Sequence, residues 1–121
     1  MRKVQLEFKE NKKVSGVETA YFRVQNLTFV ECVYVIKVEE KVVYVGQTTN
    51  LQRSINDGYG NIAPANFRLV GGRKTNVKVN AKIVAARKAN KKVSFEFAEL
   101  ENCKNVESVM INSLHPAWNS F

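Results

Sequence analysis

Between Glu31 and Gly46 the chain reads ECVYVIKVEEKVVYVG, two runs of β-branched and aromatic residues separated by Glu39, Glu40 and Lys41. Such side chains lose rotamer freedom in a helix and suit a pleated, half-buried surface. The first run extends back to Thr28 and predicts a central strand over 28–38. The second predicts a strand that ends at Gly46. A connection this short permits only an antiparallel hairpin, because parallel strands need a crossover of roughly a dozen residues or more. The chain is thereby committed to an antiparallel sheet. An odd number of residues in the connection would bring Tyr34 and Tyr44 to the same face of it.

The flanking segments supply what packs on that sheet. Val4, Leu6 and Phe8 alternate with Gln5, Glu7 and Lys9, the pattern of a half-buried strand. NKKVSG reads as a turn, and Tyr21 to Val24 as a second short strand. A helix is expected from about Asn50, with Thr49 and Gln52 as a capping box, Leu51 and Ile55 facing the core, and Asp57-Gly58 as its end. A long loop follows to Asn76. A second helix over 75–89 carries the stripe Val79, Ile83, Ala86 and stops at Asn90. KVSFEFAEL returns to strand, with Val93, Phe95 and Phe97 on one side. A last helix over 105–114 is capped by Asn105, carries the stripe Val106, Val109, Met110, Leu114, and is stopped by Pro116. Trp118 is expected to anchor the tail in the core. The expected architecture is α/β of the α+β type, a small antiparallel sheet flanked by helices in one domain over 1–121. Residues 1–27 form an N-terminal β extension and 28–121 the core.

Charge narrows the function classes. Nineteen Lys and Arg against eleven Asp and Glu leave a net charge of +8. From Gly58 to Ser94 there is no acidic residue and nine basic ones. A one-signed block of this kind suits a polyanion, nucleic acid first, more than solubility alone. No apolar run approaches the roughly 20 residues of a membrane helix, so no membrane partner is expected. The charged start MRKVQLEFKE has neither signal nor transit character, which makes the cytoplasm the expected compartment. Cys32 and Cys103 lie far apart in sequence, and with His115 as the one histidine a zinc site is not expected. Both cysteines read as small buried hydrophobes.

Several polar residues sit in otherwise apolar elements. Tyr34 and Tyr44 would present two phenols together. Glu107 stands beside the apolar stripe of the last helix and near its N-terminus, where the helix dipole favours a carboxylate.

These residues carry a resemblance. VYV at 33–35 and YVG at 44–46, followed by GQTTNL, resemble the two motifs and the strand-to-helix turn of the GIY-YIG nuclease superfamily. VESVMINSLHPAWN resembles that family's glutamate helix and its proline ahead of a Trp-Asn pair, most like stand-alone phage and restriction-type members. The resemblance runs from about Phe29 to the C-terminus. It implies a GIY-YIG-like fold and hydrolysis of DNA phosphodiester bonds with one Mg²⁺ or Mn²⁺ ion held by Glu107. It implies that one of Tyr34 and Tyr44 helps activate water while the other orients groups around the phosphate. It places an arginine eight residues after Gly46, where Ser54 stands with Arg53 one position earlier. It places a His or Tyr four residues further on, where Gly58 stands and Tyr59 follows. Tyr59 and Asn119 complete the implied site. Arg68, Arg73, Lys74, Lys78 and Lys82 would track the DNA backbone, Asn66, Arg73 and Asn76 would reach base edges, Gly71-Gly72 would allow close main-chain approach, and Lys78 would lie near the scissile phosphate. Double-strand cutting with one site per chain implies a homodimer or larger assembly. The alternative is an inactive module of the same fold that only binds nucleic acid, DNA or RNA; Ser54 and Gly58 favour it.

Overall fold

In the computed structural model, which describes residues 1–27, 31–68 and 74–119, the Glu39-Glu40 hairpin lies within a four-stranded antiparallel sheet. Its strands are β6 (Cys32–Val38) and β7 (Lys41–Thr48). The other members are β8 (Val93–Glu99) and the short β1 (Arg2–Lys3), in the order β1-β8-β6-β7. β6 is an inner strand, as its apolar run predicts, and β7 is an edge.

The hairpin turn holds only two residues, Glu39 and Glu40, both at positive φ (51° and 71°). An uninterrupted ladder from a two-residue turn would put Tyr34 and Tyr44 on opposite faces. A bulge prevents this. Lys37 pairs with Val42 but Ile36 pairs with Tyr44, so Val43 is the extra residue. One added residue reverses the alternation, and Tyr34 and Tyr44 pack on one face with ring centroids 6.3 Å apart.

The N-terminal region differs from a single opening strand. Leu6 N–H donates to the Val4 carbonyl at 3.1 Å, a tight turn that carries the chain from β1 to β2 (Leu6–Phe8), which pairs with β5 (Phe22–Val24). Val4, Leu6 and Phe8 still point inward, as their alternation predicts. NKKVSG is half strand and half turn and connection. β3 (Lys12–Val14) and β4 (Val17–Thr19) form a hairpin whose turn is Ser15-Gly16, both at positive φ.

The main core lies between one sheet face and two helical elements. Phe22, Tyr34, Ile36, Phe95 and Phe97 meet Leu51, Ile55, Val79 and Ile83 there. α2 (Lys74–Lys88) brings Val79 and Ile83 to the sheet, and Asn90 at φ 59° ends that region. Fully burying side chains of this size contributes about 1.5–3 kcal/mol each. The opposite face carries Val33, Val35 and Val45 under α3 (Cys103–Leu114). Cys32 and Cys103 are both buried with free thiols. Trp118 is 8% exposed and belongs to the main core.

Two details of α3 correct the expectation from sequence. The helix begins two residues early, with Asn102 rather than Asn105 at the N-cap position. Its packed stripe is Cys103, Val106, Met110 and Ile111, while Val109 and Leu114 are 64% and 49% exposed. Too many positions of this helix are apolar for composition to choose the face; contact with β6 and β7 chooses it. Among the described residues no helix is long and apolar enough to cross a membrane.

Candidate active site

The end of β7 runs directly into the helical segment, so the residues around Gly46 converge. Asn50 caps α1 (Leu51–Ser54), its side-chain oxygen accepting from Arg53 N–H at 3.1 Å. The expected pair of Thr49 and Gln52 does not form the cap, because Gln52 Oε1 instead accepts from Leu27 N–H at 2.9 Å. α1 does not stop at Asp57-Gly58. It continues as a π-turn over Ile55–Tyr59, sealed by Gly60 N–H donating to the Ile55 carbonyl at 2.8 Å. Gly60 is required there, since a Cβ would overlap the Phe22 carbonyl oxygen.

The π-turn sets the site. It accommodates one more residue per turn than an α-helix, and such insertions recur at functional sites. Tyr59, one residue later than the resemblance places its aromatic partner, is thereby carried onto Tyr34. Their hydroxyls lie 2.7 Å apart, and Tyr59 hydroxyl donates to Tyr44 hydroxyl at 3.5 Å. Gly58, at the position the resemblance assigns to His or Tyr, is buried against Asn76; a Cβ there would meet the Asn76 side-chain nitrogen at 3.2 Å.

Tyr34 and Tyr59 are almost fully buried, at 4% and 5% exposure. Burial, reinforced by the neighbouring phenols, pushes both well above the ordinary tyrosine value. Each is therefore a neutral hydroxyl at physiological pH, suited to donating a hydrogen bond and not to acting as a phenolate base. Of the two roles that the resemblance leaves open between Tyr34 and Tyr44, water activation does not suit Tyr34.

Tyr34 and Tyr59 border a polar cleft of about 700 Å³, whose rim includes Gln47, Thr48, Arg53, Ser54 and Asn76. Ser54 Oγ is 2.7 Å from Thr48 Oγ1, so the position where an arginine was expected carries a paired hydroxyl. Arg53, exposed, lines the same cleft. A one-turn helix at the rim lets two successive residues border one opening.

Glu107 is half-buried beside the packed stripe of α3, one turn after Cys103 and next to Val106 in the chain. Desolvation raises its pKa above the ordinary glutamate value, and the backbone amide of Gln47 opposes the shift. Gln47 lines the cleft, but Glu107 is not among its lining residues, and α3 packs on the sheet face opposite Tyr34.

Other expected members sit elsewhere. Asn119 accepts from Val45 N–H at 2.9 Å and donates to Val45 O at 3.0 Å, which engages both ends of its amide on the β7 edge. This is a positioning role outside the cleft. Asn66 Oδ1 accepts from Ala63 N–H at 2.8 Å. Arg68, Lys74, Lys78 and Lys82 are exposed. Asn76 lines the cleft, but Lys78 and Lys82 line a separate groove beside Trp118. Helical residues two positions apart differ by about 200° in direction, so Asn76 and Lys78 face different openings, and Lys78 is not among the residues that line the cleft. Arg73 and Gly71-Gly72 lie outside the described residues, as do Thr28–Val30 at the expected start of β6.

Sequence reasoning missed Asn80. It is 1% exposed, accepts from Ala20 N–H at 2.9 Å, and donates to Ala20 O and Tyr59 O at 2.9 and 2.7 Å. The signal was present: Asn80 stands one residue after Val79 and three before Ile83, inside the apolar stripe. Asp57 at the cleft had no comparable signal.

No family model, curated protein or solved structure matches the chain.

Proposed function

We propose that the chain is a metal-dependent DNA endonuclease of the GIY-YIG type. The observation that carries the reading is the convergence of the Tyr34 and Tyr59 hydroxyls, 2.7 Å apart, at a polar cleft bordered by Arg53. Held in place by packing, the neutral phenols form a chain in which Tyr34 donates to Tyr59 and Tyr59 to Tyr44, so the Tyr44 O–H is the donor left for a phosphate oxygen, which gains negative charge as the phosphodiester is attacked. Arg53 supplies a guanidinium at the rim. Exposed Arg68 and Lys74 contribute phosphate contacts, which position a duplex without reading its sequence.

Glu107 is the residue that would hold Mg²⁺ or Mn²⁺. Among the described residues no group of three or more His, Cys, Asp or Glu is present. A single carboxylate nevertheless fits Mg²⁺, which typically keeps several waters and takes about one or two carboxylates plus substrate phosphates. When bound, the ion would polarise the phosphate and stabilise the leaving oxygen.

A second reading follows from Ser54. Its hydroxyl is paired with Thr48, so an inactive nucleic-acid-binding module of the same fold is the alternative. Plasmid cleavage in Mn²⁺ separates them, run on the parent, Ser54→Arg, Arg53→Ala and Glu107→Ala. The nuclease reading expects Glu107→Ala to abolish cleavage while DNA binding persists. It expects Arg53→Ala to slow cleavage by about 10²–10³ and Ser54→Arg to raise it. Cleavage by Glu107→Ala at the parental rate overturns the nuclease reading. Binding without cleavage by both the parent and Ser54→Arg establishes the binding module. Sedimentation of the DNA complex tests the homodimer that double-strand cutting implies.

A further inference from the structure

Outside the cleft, a groove of about 1070 Å³ runs between α2 and the edge strand β7. Its floor is apolar, formed by Val43, Ala85, Ala86 and Trp118. Ala81 and Ala85 of α2, and Ala89 just past its last residue, recur every fourth residue and are all exposed, so this side presents only methyl groups. Lysines stand on both sides. Lys78 and Lys82 come from α2, Lys41 from β7, and Lys91 from just beyond the helix; Glu39 is the one acid among the lining residues.

We propose that this groove docks an acidic amphipathic helix from a partner protein. At about 1070 Å³ the groove stands at the upper end of the roughly 300–1,000 Å³ of small-molecule pockets, so its charge pattern and not its volume chooses the occupant. The lysines are distributed along both rims instead of gathered at one end. That matches a ligand whose negative charges flank an apolar strip over its length, not a single anionic head. A line of small residues lets a second helix backbone approach closely. Apolar side chains one helical turn apart would enter the groove, and flanking Asp and Glu would meet the lysines. A nucleic-acid strand fits less well. It gains binding energy by stacking bases on aromatic faces, and the aromatic here, Trp118, is only 8% exposed in an otherwise aliphatic floor. The proposal does not depend on the nuclease reading. A helix seated there also covers Lys78 and Lys82 and would keep a polyanion off that side of α2.

Trp118 is the single tryptophan of the chain and lies on the groove floor, so its emission reports occupancy. The probe is a tryptophan-free peptide with leucines aligned on one helical face and glutamates on both sides of them. The control is the same composition scrambled so that the leucines do not align. The aligned peptide is expected to shift Trp118 emission saturably and the scrambled one to leave it unchanged. Ala85→Glu and Lys82→Glu are each expected to weaken binding at least about tenfold, with unchanged far-UV circular dichroism because both positions are exposed. Silence of Trp118 toward the aligned peptide overturns the proposal, as does an equal response to the scrambled one or to the peptide with Ala85→Glu. An oligothymidylate that quenches Trp118 in the parent but not in Ala85→Glu, while the peptide is silent, overturns it in favour of a nucleic-acid strand.

Discussion

Tyr59 meets Tyr34 because the π-turn accommodates a residue that an α-turn would not, and Tyr34 is held in place by what lies beneath its ring. Phe95 stacks on it with centroids 6.3 Å apart and planes 12° apart, while Tyr59 meets it edge-on at 6.1 Å. Its tip lies across Gly46 of β7. A Cβ at Gly46 would overlap the ring carbon and the hydroxyl of Tyr34. A flexible side chain would swing away from such a contact, but Tyr34 is 4% exposed, stacked on Phe95 and hydrogen-bonded to Tyr59. Gly46→Ala is therefore expected to cost about 1–3 kcal/mol in denaturant unfolding, the range for overpacking a tight core. It is also expected to break the Tyr34–Tyr59 hydrogen bond and, on the proposed nuclease reading, to remove cleavage. Unchanged stability in Gly46→Ala would mean that Tyr34 has room to move and that the glycine is not there for the ring. The tyrosine and the glycine are both plain in the sequence. Their contact is not, because it joins opposed strands in a register that a bulge displaces.

At the scale of elements, the sheet has two unequal faces. α2 and the π-turn cover one, and α3 covers only the β6–β7 side of the other. Lys37 and Glu96 use this second face to pair at 2.9 Å, and their side chains are 21% and 10% exposed. The hydrogen bond from Lys37 is the main cause of a Glu96 pKa below the ordinary 4.5, and the same bond raises Lys37 above 10.5. Glu96 thus stabilises the fold above its unfolded-state pKa, and that contribution disappears as pH falls through its lower folded value. Lys37 contributes below its unfolded-state pKa and loses that contribution as pH rises through its higher folded value. Glu96→Gln is expected to lower the melting temperature at neutral pH, with the difference from the parent shrinking as the pH falls below the ordinary glutamate value. A difference that persists unchanged in acid would show that lost packing, not lost charge, is responsible. β8 was legible as a strand from VSFEF. The pairing of Glu96 with Lys37 across to β6 was not, since alternation says which side a residue takes but not what stands opposite.

At the scale of the whole molecule, Asn80 ties three distant segments together. Its amide engages both backbone groups of Ala20, ahead of β5, and the carbonyl of Tyr59 at the end of the π-turn. Phe22 N–H adds a bond to the Gly60 carbonyl at 3.0 Å. The N-terminal strands are thereby fastened to the element that places the site tyrosine. Asn80→Ala leaves three buried backbone groups without partners and is expected to cost about 2–4 kcal/mol in denaturant unfolding. Hydrogen exchange at Val24 and Tyr59 is expected to accelerate along with it. A loss below about 1 kcal/mol would mean that water replaces the amide and that the segments are joined by apolar packing.

By itself the sequence determined the α+β class, the central hairpin, the long α2, the burial of Trp118 and the concentration of positive charge. These follow from side-chain periodicity, turn residues and composition, all of which act over a few neighbouring positions. It also held both motif tyrosines and the carboxylate of the candidate site. Only the tertiary structure decided that Val43 bulges and turns Tyr34 and Tyr44 to one face, that a π-turn carries Tyr59 to them, and that Val109 of α3 faces outward. It likewise decided that Lys78 and Lys82 face the groove and that Asn119 braces an edge strand. Each of these is a choice among local conformations of similar energy. Contacts between segments far apart in the chain select among them, because burying one side chain against another outweighs the small local preferences that separate the alternatives.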